Sequence, residues 1–162
     1  MKAIFTVRSD LLGRVITHID GGHYNHCGVY DPGYDCRGGF IIEANPFEGV
    51  RRRLLGPILS EASGFAILDL AVPDETQGMD WLRRQLGLKY DWLGLLGIAL
   101  KEDWLREGKW VCSPLTLLTF IQAGASLDGS PQPRFDYAVG VRQAYETLIK
   151  LGARVTSSCS TK

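Results

Sequence analysis

The spacing of apolar residues changes character at Pro73, and this change constrains the fold more than any other feature of the 162-residue chain. Before Pro73 the apolar residues fall in short runs broken by turn formers. After it they recur three and four positions apart. Alternation and short runs are the mark of strands, and 3–4 spacing is the mark of helices. The front half reads as a first strand Lys2 to Val7 and a short helix Leu11 to Ile19 closed by Gly21-Gly22. Apolar runs then follow at Cys27 to Tyr30, Phe40 to Glu43 and Phe65 to Val72. Asp31-Pro32-Gly33 is a turn signal between the first two runs, and a further short strand fits Gly49 to Leu54. These runs predict neighbouring antiparallel strands of one sheet.

In the back half, Asp74 can cap a helix that carries Met79, Leu82 and Leu86 on one face, with Gln77 at the capping-box position and Gly87 at its end. Leu115 to Ala123 is apolar nearly all round, as in a helix buried on most sides. A Gly/Ser/Pro-rich loop, Gly124 to Pro133, leads to a last helix with Tyr137, Val141, Ala144, Tyr145 and Leu148 at helical spacing and Gly152 as its cap. The expectation is one α+β domain over residues 1–155, with an antiparallel sheet packed against the helix that starts at Cys112. Residues 156–162 are expected to form a polar, frayed C-terminal tail.

Charge removes some function classes. Lys+Arg and Asp+Glu both number 18, so a strongly basic nucleic-acid binder is disfavoured. Arg51-Arg52-Arg53 is left to meet an anion or to form a solvated strand end. Mean hydropathy is −0.03, and the apolar run Trp92 to Leu100 is too short to span a bilayer, so no stable membrane insertion is expected. That run reads as a buried or pocket-lining helix. The N-terminus lacks the apolar stretch of a signal peptide, so the chain is expected to be cytoplasmic as synthesised. The four cysteines, Cys27, Cys36, Cys112 and Cys159, then read as thiols rather than disulfides.

Cys112 precedes Ser113-Pro114 and the buried helix, which puts it at the positive end of a helix dipole. That position favours thiolate, and the free N–H groups of the first turn suit an oxyanion. The plainer alternative is a small buried hydrophobe, and position alone leaves both readings open. A cysteine nucleophile needs a base with an orienting partner. His26 begins a strand, sharing a face with Gly28 while Cys27 and Val29 share the other. Glu43 is an otherwise unexplained carboxylate on a half-buried strand. An edge histidine in water and a solvated strand-end acid are the alternatives. His23-x-x-His26-Cys27 with Cys36 holds zinc-type ligands, but the spacing matches no compact zinc motif, so no metal or other cofactor is expected. His18 is expected on the outer face of the first helix and His23 in a loop.

Four blocks in order resemble the circularly permuted NlpC-type papain-like fold, in its YiiX-like branch related to the lecithin–retinol acyltransferase group. They are Tyr24-Asn25-His26-Cys27-Gly28-Val29, Ile42-Glu43-Ala44 with Gly49-Val50-Arg51, Tyr90-Asp91-Trp92, and Trp110-Val111-Cys112-Ser113. The resemblance implies a base at His26, a polar third residue at Glu43 and a nucleophile at Cys112, the same three residues that the chemistry selects. It implies that Tyr90 lines the site; Trp110 and Ser113, on either side of Cys112, are also expected to meet substrate. Asn25 stands where the family usually has serine, and Pro114 where it has glutamate.

The expected function is a cysteine hydrolase of peptidase or amidase type, cleaving an amide bond in a cell-wall peptide or related isopeptide through a thioester acyl-enzyme. Its partner is a peptide-like or acyl substrate. A phage- or prophage-associated origin would reconcile a wall substrate with the missing export signal. The alternatives are a lipid acyl hydrolase or acyltransferase on the same triad, and a non-catalytic binding or structural module. A lipid acyltransferase should present an exposed apolar groove. The apolar candidate, Leu93 to Leu100, adjoins the acidic Glu102-Asp103, which weighs against an anionic membrane.

Overall fold

The computed structural model describes residues 1–32, 38–126 and 138–160. In chain order its elements are β1 (Lys2–Val7), α1 (Leu11–Asp20), β2 (His26–Asp31), β3 (Phe40–Asn45), β4 (Gly49–Leu54), α2 (Leu55–Glu61) and β5 (Gly64–Asp69). They continue with α3 (Glu75–Arg83), β6 (Lys89–Tyr90), α4 (Trp92–Leu100), β7 (Lys109–Trp110), α5 (Cys112–Gln122), α6 (Val141–Lys150) and β8 (Arg154–Ser160). Six strands form a sheet in the order β4-β3-β2-β1-β5-β8, with every neighbouring pair antiparallel. The expected α+β class with an antiparallel sheet is what the structure has.

Alternation along the strands sorts the side chains. Ala3, Phe5, Cys27, Val29, Ile42, Ala44 and Leu68 face α3, α5 and α6, where they form the main core with Met79, Leu82, Leu115, Phe120, Ala144 and Leu148. Ile4 and Ile41 face the other way and pack on Leu55 and Ile58 of α2. Helix α5 lies across β2 and β3. Leu115, Leu117 and Phe120 are buried, and Leu118 and Ile121 half-buried.

The helix starts follow their caps. The Asp10 side chain accepts the Gly13 N–H at α1, Asp74 accepts Gln77 N–H at α3, and Asp91 accepts Gly94 N–H at α4. Helix α1 ends at Gly21 with φ +63°, as its sequence predicts. Three segments differ from expectation. Helix α2 is not visible as a pattern, because Gly56-Pro57 reads as a breaker; Pro57 in fact lies in the first turn, where no intrahelical N–H is needed. Helix α3 stops at Arg83, and Leu86 is exposed. The tail expected to fray instead forms β8, paired with β5 from Asp69↔Arg154 to Gly64↔Ser160. Backbone hydrogen bonds suffice for an edge strand, so its polar, exposed side chains carry no alternating signal. Gly33, Cys36, most of the Gly124 to Pro133 loop and Tyr137 lie outside the described residues.

Phe120 is fully buried beneath the sheet. Phe120→Ala should cost about 3–5 kcal/mol in urea unfolding, and Leu118→Ala clearly less.

Candidate active site

Cys112 is the first residue of α5, after Val111 at the cap, and no side chain caps this helix start. Pro114 has no N–H to satisfy, and Leu115 N–H already bonds Val111 O at 3.2 Å. Cys112 is 2% exposed, His26 5% and Glu43 2%. His26 opens β2 and Glu43 lies in β3, on the same side of the sheet. His26 Nε2 and Glu43 Oε2 are 2.6 Å apart. The second carboxylate oxygen, Oε1, accepts from Arg51 Nε at 2.9 Å and is 2.8 Å from Arg51 Nη2, because the register pairs Glu43 with Arg51 of β4. Arg51 also bonds Glu48. Strands β2 and β3 come close here because Gly28 has no side chain: a Cβ there would lie 2.7 Å from Ile42 O and 2.8 Å from the Ile41 side chain.

With Nε2 on Glu43, Nδ1 is the ring nitrogen left for Cys112, and the ring and the thiol are within hydrogen-bonding reach. Cys112 also meets Cys27, the residue after His26, through both the Cys27 thiol and its N–H. These contacts govern the charges. For Cys112, the bond from Cys27 leads, burial opposes it, and His26 adds to it, so the thiol is drawn well below its ordinary range. For His26, burial disfavours charge but the Glu43 carboxylate and the bonds to Cys112 and Glu43 outweigh it, and the ring titrates at about 10. For Glu43, burial is likewise outweighed by His26 and Arg51, which bring it to about 2. Thiolate, imidazolium, carboxylate and guanidinium therefore alternate in sign along one buried line.

An apolar groove of about 240 Å³ ends at Cys112 and Ser113. One wall is α1, with Leu12, Val15, Ile16 and Ile19; the other is α4, with Trp92, Leu95, Leu96, Ile98 and Ala99. Four of its lining residues, Val15, Ile19, Trp92 and Leu96, are exposed, as are Leu11 and Leu100 on the same two helices. A second cavity reaches the His26–Glu43 pair, and Arg8, Asp10, Arg53, Ile58 and Glu61 also line it.

The structure brings Cys112, His26 and Glu43 together and puts Ser113 in the groove wall. Two expected substrate contacts are absent from it. Tyr90 is buried, its ring against Trp92 at 5.2 Å, close enough to Cys112 for the sulfur's charge to add to the effect of burial in raising the phenol well above its ordinary value. Trp110 turns away: its ring meets Trp81 at 5.4 Å and its Nε1 donates to Gln85 Oε1 at 3.1 Å. Successive residues of extended chain point to opposite sides, and Val111 takes the groove side. Asn25 ties the residue after β1 to α1: its Oδ1 accepts Arg8 N–H at 2.8 Å, and its Nδ2 donates to Arg8 O and Thr17 Oγ1, both at 3.0 Å. His18 and His23 are exposed, and among the described residues no group of three or more His, Cys, Asp or Glu is arranged to hold a metal ion.

Arg51, Cys27 and the groove-facing side of α1 are the site features that sequence reasoning missed. The arginine triplet is not a free strand end: Arg51 meets Glu43, Arg52 meets Asp31 at 3.0 Å, and Arg53 meets Glu61 at 2.8 Å. The signal for Arg51 was its alternation on the strand next to Glu43's. For α1, it was a second apolar stripe matching the all-apolar α4.

No protein-family profile matches the chain, and no curated protein matches it. Among solved structures, its fold is similar to the crystal structure of the metalloprotein YiiX from Escherichia coli O157:H7. The TM-score is 0.59 at 16% identity, over 75% of this chain and 64% of that one. The likeness shows a YiiX-like fold, and the chain spans less than two thirds of YiiX's length. Among the described residues no helix is long and apolar enough to cross a membrane.

The shifted groups set a pH window for stability. Glu43's contribution is present above the unfolded carboxylate value of about 4.3 and is lost as pH falls toward about 2. That of His26 is present below the unfolded value of about 6.5 and is lost as pH rises toward about 10. Cys112, drawn down, contributes stability that is complete above the unfolded thiol value of about 8.5 and offsets the His26 loss below it, so denaturant unfolding across pH should peak between about 6.5 and 8.5. His26→Gln should remove the decline on the alkaline side that belongs to this pair.

Proposed function

We propose that the chain is a cysteine acyl hydrolase or acyltransferase with a Cys112-His26-Glu43 triad, acting on a carbonyl whose apolar chain lies in the groove between α1 and α4. The observation that carries this reading is the groove itself, which is apolar along both walls and has Cys112 and Ser113 in its lining. It ranks acyl substrates ahead of the peptide amide expected from the sequence, since an exposed apolar groove is what an acyl chain requires and a peptide backbone does not. The order of the residues, with the histidine strand first and the cysteine helix last, is that of a permuted papain-like enzyme. This supports the kinship with the NlpC and lecithin–retinol acyltransferase groups.

The steps follow from the charge state. Cys112 rests as thiolate beside the His26 imidazolium, so the sulfur attacks the carbonyl carbon without first giving up a proton. The N–H groups at the start of α5 hold the oxyanion. His26 donates its proton to the leaving group as the thioester forms. The neutral ring then takes a proton from water, or from another acceptor, as that nucleophile attacks the thioester, and the charged pair is restored. Glu43 holds the ring in place, and Arg51 holds Glu43.

YiiX is described as a metalloprotein, and the residues here do not fit a metal. Both Glu43 oxygens are engaged by His26 and Arg51, a guanidinium stands beside them, and the charged His26 ring offers no lone pair. No step of the mechanism runs through one.

Turnover of p-nitrophenyl esters of increasing chain length tests the reading. Each added methylene should raise kcat/KM by about fourfold until the groove is full, at ~0.8 kcal/mol per buried methylene. Cys112→Ala should abolish turnover and His26→Ala lower it by about 10²–10⁴. Ile16→Trp, which narrows the groove, should slow long chains far more than acetate. Cleavage of peptidoglycan fragments with the esters untouched would restore the amide reading. Cys112-independent behaviour on both would leave a non-catalytic binding module.

A further inference from the structure

A second thiol lies against the reacting one. Cys27 follows His26 in β2 and is fully buried on the side that faces α5, in the core beside Phe5 and Leu115. Helix α5 presents two residues one turn apart to this strand, Cys112 and Thr116. The Thr116 side chain reaches Cys27, and among the described residues its buried Oγ1 has no other hydrogen-bond partner. Thr116, Cys27 and Cys112 thus form a short polar file inside an apolar core. A hydrophobe such as the neighbouring Val29 would meet the packing need at this strand position equally well. A thiol adds one donor.

We propose that Cys27 is a positioning residue for Cys112: its S–H and N–H both donate to the Cys112 sulfur, holding it as thiolate and aiming its free lone pair into the groove. Two donors on one side of a sulfur leave the opposite side for attack. Burial, and then the charge on Cys112, push the Cys27 thiol well above its ordinary range, so Cys27 keeps its proton and remains a donor. The titratable groups facing this pair are His26 on β2, Tyr90 on β6 and Asp20 at the end of α1. Of these, His26 alone carries positive charge; Tyr90 is a neutral phenol and Asp20 opposes ionisation. His26 supplies the charge and Cys27 the hydrogen bonds.

The proposal rests on Cys112 being the reacting thiol, and alkylation tests it without any substrate. The full chain would be treated with iodoacetamide across pH, and Cys112 modification followed by peptide mass spectrometry. Cys27→Ala should raise the ionisation midpoint of Cys112 by about one pH unit, slowing alkylation about tenfold below it, as expected for loss of one hydrogen bond to a charged sulfur. Cys27→Ser, which returns an O–H donor, should restore the wild-type midpoint. Equal shifts in both variants, or none in either, would overturn the donor role. A wild-type Cys112 that titrates as an ordinary thiol near ~8.5 would instead overturn the triad itself. Near-ultraviolet circular dichroism would establish that each variant is folded.

Discussion

The carboxylate of Glu43 is the constraint around which the site is built. An unpaired charge at 2% exposure would be strongly destabilising, and this one is tolerated because both its oxygens are answered, one by His26 and one by Arg51. The three residues stand on β2, β3 and β4, so satisfying the carboxylate requires those strands to hold their register. A shift of one residue would turn all three side chains to the wrong face. Chemistry and sheet geometry therefore depend on the same bonds, and Gly28 permits the close approach that makes them.

A helix start supplies the other half. Cys112 belongs to no strand, yet its sulfur meets two consecutive residues of β2, His26 and Cys27, because α5 packs with its first turn over the beginning of that strand. The consequence is a thiol drawn toward thiolate beside a ring held toward imidazolium with no ligand needed to bring either about. In an enzyme of this kind the protein environment bears the cost of ionising the thiol during folding rather than during turnover.

Much of this was legible in the chain because the features in question are local. A cysteine before Ser-Pro and an apolar run marks a helix start, and the alternation around His26 and Glu43 assigns faces within a strand. What escaped depends on pairing partners that no local pattern contains. Arg51 is one of three consecutive arginines, and only the β3–β4 register selects it for Glu43. Trp110 was expected beside substrate for its nearness to Cys112, but a side chain two positions back on an extended segment follows its own alternation. Strand β8 has no apolar rhythm because both its faces are wet. The stripe on α1 predicted a helix, but an apolar stripe reads the same whether it meets a core or a groove. Its exposure becomes visible only when α4 is found opposite rather than on top.

Arginines and their carboxylate partners guard one edge of the sheet at β4, and serines and threonine dress the other at β8. Exposed apolar residues of α1 and α4, Val15, Ile19, Trp92 and Leu96, put adhesive surface along the groove that ends at Cys112 and Ser113. If an acyl chain lies in the groove as proposed, any amphiphile that covers these residues, a detergent among them, competes with it for the same surface. The choice of detergent then enters any measurement of the proposed activity as a variable of its own.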